Sequence, residues 1–329
     1  MKNRKRLLMI IVITFCIYSA LLGGCWKEQK AGEESQLQVV ATIYPLAEFA
    51  RQVGGEKVKV TQLLPVNAEP HHWEPSPRDL AKLQGSQIFI FNGAGLEPWV
   101  NHLLPSLRKK GIRIIEASKG LDLMTFAEEE KLGLLCFIGS ITKAPGRETP
   151  DPHIWLDPVY AKKIVLQICE EFQAVDPANA EYYEKQAKTY ASSLDQLHQQ
   201  YSAALRSLRN RNLVVTHAAF GYLARRYNLR QIPIMGSTPA QEPDAATLKE
   251  IINFCRQNEI KTIFFESLVS PKAAKAIASE IGAQTLVLNP IGGLTAEEEK
   301  QGVDYLQLMK NNLINLKKGL GGEEDGTGN

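Results

Sequence analysis

One stretch narrows the architectures open to this chain more than any other. Between residues 177 and 210, Tyr183, Ala187, Tyr190, Leu194, Leu197, Tyr201, Ala204 and Leu208 recur at intervals of three and four. That spacing holds one apolar face on a helix for about seven turns, on the order of 50 Å at 1.5 Å per residue. Two arrangements would hide such a face. One is a coiled-coil dimer, and the other is a spine clad by neighbouring elements of the same chain. The flanking residues favour the spine, because strand and helix patterns alternate up to residue 176 and resume at 211.

Before the long helix, residues 38–44 (QVVATIY), 58–64, 88–92 (IFIFN) and 113–116 read as strands. Residues 46–53, 77–83 and 97–107 read as helices, with Ser76 as an N-cap and Pro77 at the first helical position. After it, residues 213–216, 231–235, 262–266 (TIFFE) and 285–289 read as strands. Residues 220–227, 245–255 and 271–281 read as helices, and residues 294–320 as one long closing helix. Continuous apolar strands between amphipathic helices mean parallel sheets covered on both faces. The expected fold is therefore α/β: two lobes, each a mostly parallel sheet with flanking helices, bridged by one long rigid helix. The boundaries read as 37–176 for the N-terminal lobe, 177–210 for the linking helix and 211–320 for the C-terminal lobe. Ligands in such sheets bind at the carboxyl ends of strands, here the cleft between lobes.

The N-terminus carries an address. Lys2, Arg4, Lys5 and Arg6 precede an apolar run at residues 7–22 that ends in Leu22-Gly23-Gly24-Cys25. Positive charge followed by a short apolar run reads as a secretory signal, and the ending resembles a bacterial lipobox with Cys25 as the lipidated residue. The run falls short of the roughly 20 residues that span a bilayer, so a signal peptide over 1–24 is preferred to a transmembrane anchor. Residues 25–36 read as a flexible tether and 321–329 (GGEEDGTGN) as a disordered tail. The rest of the chain is then expected at the cell membrane, on its extracytoplasmic face. With Cys16 removed and Cys25 lipidated, Cys136, Cys169 and Cys255 remain, with no CxxC pair. That excludes a disulfide framework and a thiolate metal motif. A net charge of +2 gives no reason to expect a nucleic-acid partner.

Six histidines are present. His71 and His72 lie in Glu69-Pro70-His71-His72-Trp73-Glu74-Pro75. His153 lies in Asp151-Pro152-His153-Ile154-Trp155-Leu156-Asp157-Pro158, and His217 ends the strand at 213–216. His102 and His198 fall on helices. The first three settings are strand ends or proline-framed loops, where functional residues on α/β scaffolds sit. The spacing between them matches no local zinc motif. On spacing alone, a shared metal site and ordinary surface histidines both stay open.

The motifs around these histidines extend the pattern. Leu64-Pro65-Val66-Asn67-Ala68-Glu69-Pro70-His71 with Glu74-Pro75-Ser76-Pro77-Arg78-Asp79, the Asp151–Pro158 run and Thr216-His217-Ala218-Ala219-Phe220-Gly221-Tyr222-Leu223 are followed by Gln241-Glu242-Pro243, Phe265-Glu266, Ser270-Pro271-Lys272 and Leu288-Asn289-Pro290-Ile291. Together they resemble the cluster A-I solute-binding proteins, the metal receptors of zinc and manganese ABC transporters, over residues 39–320. The resemblance implies two α/β lobes bridged by a long helix, and His71, His153 and His217 as metal ligands. It also implies an ABC permease as partner, with its ATPase behind it, a monomer held by its lipid anchor, and no catalysis.

The family's fourth ligand is a carboxylate that in many members follows the Asn-Pro-hydrophobic step. Here Gly292 stands there, leaving water or one of His72, Glu69 and Glu266 as the substitute. Gly292→Glu is expected to restore the carboxylate and to tighten zinc binding or improve manganese binding, provided the glutamate reaches the cleft. The His-rich loop that zinc members often carry has no counterpart, since residues 122–150 contain no such run. Imidazoles suit zinc and carboxylate-rich sets suit manganese, so Zn2+ is the expected ligand and Mn2+ or iron the alternative within the family. A three-histidine zinc with an open position is also a catalytic pattern. A secreted zinc hydrolase with Glu266 as base is therefore the rival from another class, and a surface adhesin is a third reading.

Overall fold

Strands that are apolar on both faces need cover on both sides, and the two central strands of the first sheet, at Leu37–Ala41 and Ile88–Phe91, are of that kind. The computed structural model describes residues 36–140, 147–208, 210–239 and 243–321, so the signal, Cys25, the tether through residue 35, Gln241, Glu242 and the tail from 322 lie outside the described residues. Strands β1 (Leu37–Ala41), β2 (Val58–Gln62), β3 (Ile88–Phe91) and β4 (Arg113–Glu116) pair in parallel in the order β2-β1-β3-β4. Helices α1 (Tyr44–Gly54), α2 (Pro77–Leu83) and α3 (Val100–Lys109) make the connections. All four residues of β3 are buried. Ser76 caps α2 in a reciprocal capping box with Asp79, which fixes where the loop after β2 ends.

The second half repeats the plan. Strands β5 (Asn212–Val215) and β6 (Arg230–Pro233) pair in parallel, as do β7 (Thr262–Phe265) and β8 (Gln284–Val287), and β5 packs beside β7. Between the halves, α5 (Pro158–Val175) leads through a single turn at Pro177–Asn179 into α6 (Ala180–Leu205). The repeating face of α6 is buried at Tyr183, Ala187, Tyr190, Leu194, Leu197 and Tyr201. Helices α5, α1 and α11 (Tyr305–Gly319) cover it from within the chain, and Tyr201 donates to the Met309 carbonyl at 2.6 Å. It is a spine. Truncating a fully buried leucine such as Leu194 would cost about 2–5 kcal/mol.

Two features depart from simple alternation. Residues 294–320 hold two helices rather than one, α10 (Ala296–Gln301) and α11. Gly302 ends α10 in the left-handed conformation (φ 64°), and Asp304 caps α11 anew through the Gln307 N–H. Before α5, the chain also visits the second half. After α4 (Phe126–Lys131), Leu135 bridges in parallel to Gln231. Phe126, Leu135 and Phe137 share a core with Val214, Ile232, Ile251 and Ile263.

Candidate metal centre

The three motif histidines reach one place from three loops. His71 follows β2, within a single turn at Pro70–His72, and the Glu69 carboxylate accepts the His71 backbone N–H at 3.0 Å. His153 precedes a turn at Ile154–Leu156, after which Asp157 caps α5 with Pro158 at its first position. The loop is pinned by Asn92, whose amide donates to the Pro152 carbonyl at 2.9 Å. His217 lies just past β5, and Glu266, just past β7, accepts its backbone N–H at 3.2 Å. Proline-limited φ and side-chain caps leave the His71 and His153 loops few alternative shapes.

His71 Nε2 stands 3.0 Å from His153 Nε2, and His217 Nε2 stands 3.2 Å from His153 Nε2. All three donor atoms lie within 4.8 Å of one another. Asp151 Oδ1 holds His153 Nδ1 at 2.6 Å, and Glu266 Oε1 holds His217 Nδ1 at 2.6 Å. A carboxylate on Nδ1 places the ring proton there and turns the Nε2 lone pair inward. Lone pairs facing one another at this range need a proton or a cation between them. Tetrahedral zinc with bonds of about 2.0–2.1 Å would set its nitrogens about 3.3 Å apart, close to both measured separations.

The site is dry. His153, His217, Asp151 and Glu266 are all buried. Burial first, then the neighbouring imidazoles of His153, His217 and His72, hold His71 well below the ordinary histidine range. At His217 burial acts in the lowering direction, but the charge and hydrogen bond of Glu266 outweigh it and the net shift is upward. Glu69, Pro70, His71, His153, Trp155, His217, Glu266 and Gly292 are among the residues that enclose the space, which leaves only about 10 Å³ to the centre of a water-sized sphere. That is room for roughly one water or one ion.

The remaining sequence candidates fall as follows. The His72 side chain is half exposed and turns its Nδ1 to Glu69 at 2.9 Å. Glu69 Oε1 stands 4.0 Å from His71 Nε2. Glu266 is committed to His217. His102 is exposed on α3, and His198 meets the Tyr227 hydroxyl at 3.1 Å. Gly292 does border the site, but a Cβ there would lie 2.8 Å from Pro70 Cγ. The gain expected of a glutamate at this position required that it reach the cleft, and the Pro70 ring stands in its way. Asp151 was not singled out from the sequence as a functional residue. Its signal was its place two residues before His153 in a proline-framed triplet.

Two parallel-sheet halves joined by a helical spine, with donors gathered on the loops after strands and before α5, are the architecture of a solute-binding receptor. The family model described as zinc-uptake complex component A, periplasmic, matches residues 39–319, and the chain belongs to that family. It is similar to the high-affinity zinc uptake system protein ZnuA of Bacillus subtilis (strain 168), with 38% identity over 313 residues, 95% of this chain and 97% of that protein. It is 35% identical over 309 residues to the zinc-binding lipoprotein AdcA of Streptococcus pneumoniae (strain ATCC BAA-255 / R6), covering 94% of this chain but only 60% of that relative's length. The crystal structure of the Zn(II)-bound ZnuA-like domain of Streptococcus pneumoniae AdcA superposes with a TM-score of 0.74 at 36% identity, over 87% of this chain and 99% of that chain.

Proposed function

We propose that this chain is an extracytoplasmic receptor that captures one zinc ion with His71, His153 and His217 and delivers it to an ABC permease and, through it, its ATPase. One observation carries the reading: the Nε2 atoms of His153 and His217 face each other across 3.2 Å while buried carboxylates hold both Nδ1 atoms. Such a pair is arranged for a cation that prefers imidazole, and zinc does. Glu69 is the best-placed fourth ligand, because its Oε1 is already 4.0 Å from His71 Nε2 while its Oε2 is held by the His71 N–H and His72 Nδ1.

Family membership and the zinc-named relatives support the receptor reading over a hydrolase. So does the site. Space for one small guest holds no substrate, and Glu266 Oε1 is engaged by the His217 backbone N–H and ring Nδ1. A diacylglycerol on Cys25 is the proposed anchor, and a monomer the proposed state.

The test is a zinc titration of the full chain, solubilised in detergent, against a competing chelator. One tightly held zinc per chain, weaker manganese binding and no ester or peptide turnover are expected. Preference for manganese would overturn the choice of metal, and metal-dependent turnover would overturn the receptor reading.

A further inference from the structure

Behind His153 stands another tier of buried polar groups. Asp151 Oδ1 is fully used, accepting the His153 backbone N–H at 2.9 Å and its ring Nδ1 at 2.6 Å. Asp151 Oδ2 and Glu129 Oε1 are buried oxygens that no N–H or hydroxyl among the described residues reaches. The two carboxyl groups are electrostatic neighbours, and the Asp151 charge bears on Glu129. Both residues are wholly buried, as is Gln231. Gln231 Nε2 donates to Glu129 Oε2 at 2.9 Å, and Gln231 Oε1 accepts the Phe220 backbone N–H at 3.0 Å, three residues past His217.

Two ionised carboxylates cannot share so dry a space, whereas one proton between them satisfies both orphaned oxygens. Burial and then the Asp151 charge push the Glu129 carboxyl far above the ordinary carboxylate range, so the proton belongs to Glu129. Gly221 completes the fit. A Cβ there would lie 2.1 Å from Glu129 Oε1, so the glycine leaves the volume that the carboxyl fills.

We propose that Glu129, as a carboxylic acid, is a positioning residue of the metal centre: it donates to Asp151 Oδ2 and, through Gln231, ties the loop carrying His153 to the loop carrying His217. The proposal rests on the zinc reading of the three histidines. Its physical content is that two ligands from loops far apart in sequence are held in register by one shared buried network. Residues behind metal ligands orient the rings and set their basicity.

The experiment measures zinc affinity and the metal-free melting temperature of the full chain in detergent. Glu129→Gln keeps a donor for Asp151 and an acceptor for Gln231, so its affinity should stay within about threefold of wild type. Glu129→Leu and Gly221→Ala should each lose about tenfold or more, the lower end of what outer-layer groups contribute. Should Glu129→Leu fail to fold, Glu129→Asp keeps the acid but shortens its reach, and it should also weaken zinc binding. Equal affinity in a folded Glu129→Leu or Glu129→Asp protein, even with a lower melting temperature, would make Glu129 an ordinary core residue and overturn the proposal. Equal losses in Glu129→Gln and Glu129→Leu would overturn it too, since the carboxylate charge and not the donated proton would then matter. A wild-type chain that takes up no zinc would remove the site reading itself, a result distinct from either of these.

Discussion

His153 and His217 present their Nε2 atoms to each other across 3.2 Å, and each ring is held from behind by a carboxylate at 2.6 Å, Asp151 for one and Glu266 for the other. The two rings come from the loop before α5 and the loop after β5, 64 residues apart in sequence. Neither can turn its lone pair away without breaking a buried hydrogen bond. These hydrogen bonds fix both ring orientations, which the proposed binding of a cation between the Nε2 atoms would use.

From this follows a sharp split among the histidines. His71→Ala, His153→Ala and His217→Ala should each weaken zinc binding by on the order of a hundredfold or more, since each removes a ligand rather than an outer partner. His102→Ala and His198→Ala should leave it unchanged. Chelator competition on all five variants checks this. A normal His71→Ala protein beside a failing His72→Ala protein would mean that the wrong member of the adjacent pair has been assigned.

The carboxylates behind the rings should count for less, but measurably. Glu266→Gln keeps the shape yet removes the charge that fixes the His217 Nδ1 proton, and about 10–100-fold in zinc affinity is expected to go with it. Asp151→Asn should behave alike. Affinity equal to wild type in both would show that the rings are held by packing alone.

Much of this was legible in the sequence, for identifiable reasons. The spine declared itself because a face kept at intervals of three and four has few other readings, and the parallel sheets because IFIFN and TIFFE leave no face for water. The convergence of His71, His153 and His217 was not visible in their spacing; only the motifs around them suggested it. The crossover of residues 134–137 onto β6 left no signal, because one bridging residue has no period. The Pro70 ring against Gly292 could not be foreseen either, since it depends on how two loops 222 positions apart meet, as does the bond from the Asn67 N–H to the Leu294 carbonyl at 2.8 Å.

The anchor is a separate matter from the site. Cys25→Ser should release the chain from membranes or leave its leader uncleaved, with zinc affinity unaffected. Fractionation and mass measurement decide it, and normal processing with membrane retention would rule out lipidation at Cys25.

Acid should release the metal in a defined order. Zinc takes only neutral imidazole. Burial lowers His217, but the Glu266 carboxylate outweighs it and lifts His217 above the ordinary histidine value, so in the free site it takes a proton before His71 does as the pH falls. Burial and the neighbouring rings hold His71 well below 6.5, so it stays neutral further into the acid range. Apparent zinc affinity should begin to fall above about pH 6.5, with uptake of one proton, and steepen when His71 follows. Glu266→Gln removes what raises His217 and should move the onset to lower pH. Affinities measured from about pH 5 to 8.5 test both the onset and its shift.

Gly292 offers the most discriminating test, because two effects of opposite sign meet there. A glutamate would bring a carboxylate to the edge of the site, where a cation would gain from it. Its Cβ, however, would lie 2.8 Å from Pro70 Cγ and 3.7 Å from Trp155 Cζ2. A proline ring cannot rotate aside as a flexible side chain would, and Pro70 precedes His71, so the clash displaces a ligand. Gly292→Glu alone should therefore weaken zinc binding, as should Gly292→Ala, which adds the clash without the charge. Pro70→Ala removes the offending ring carbons. The double variant Gly292→Glu with Pro70→Ala should regain affinity and exceed Pro70→Ala alone, and manganese should gain more than zinc from the added oxygen donor. Additive losses in the double variant, with the fold intact by circular dichroism, would show that the glutamate never reaches the cation.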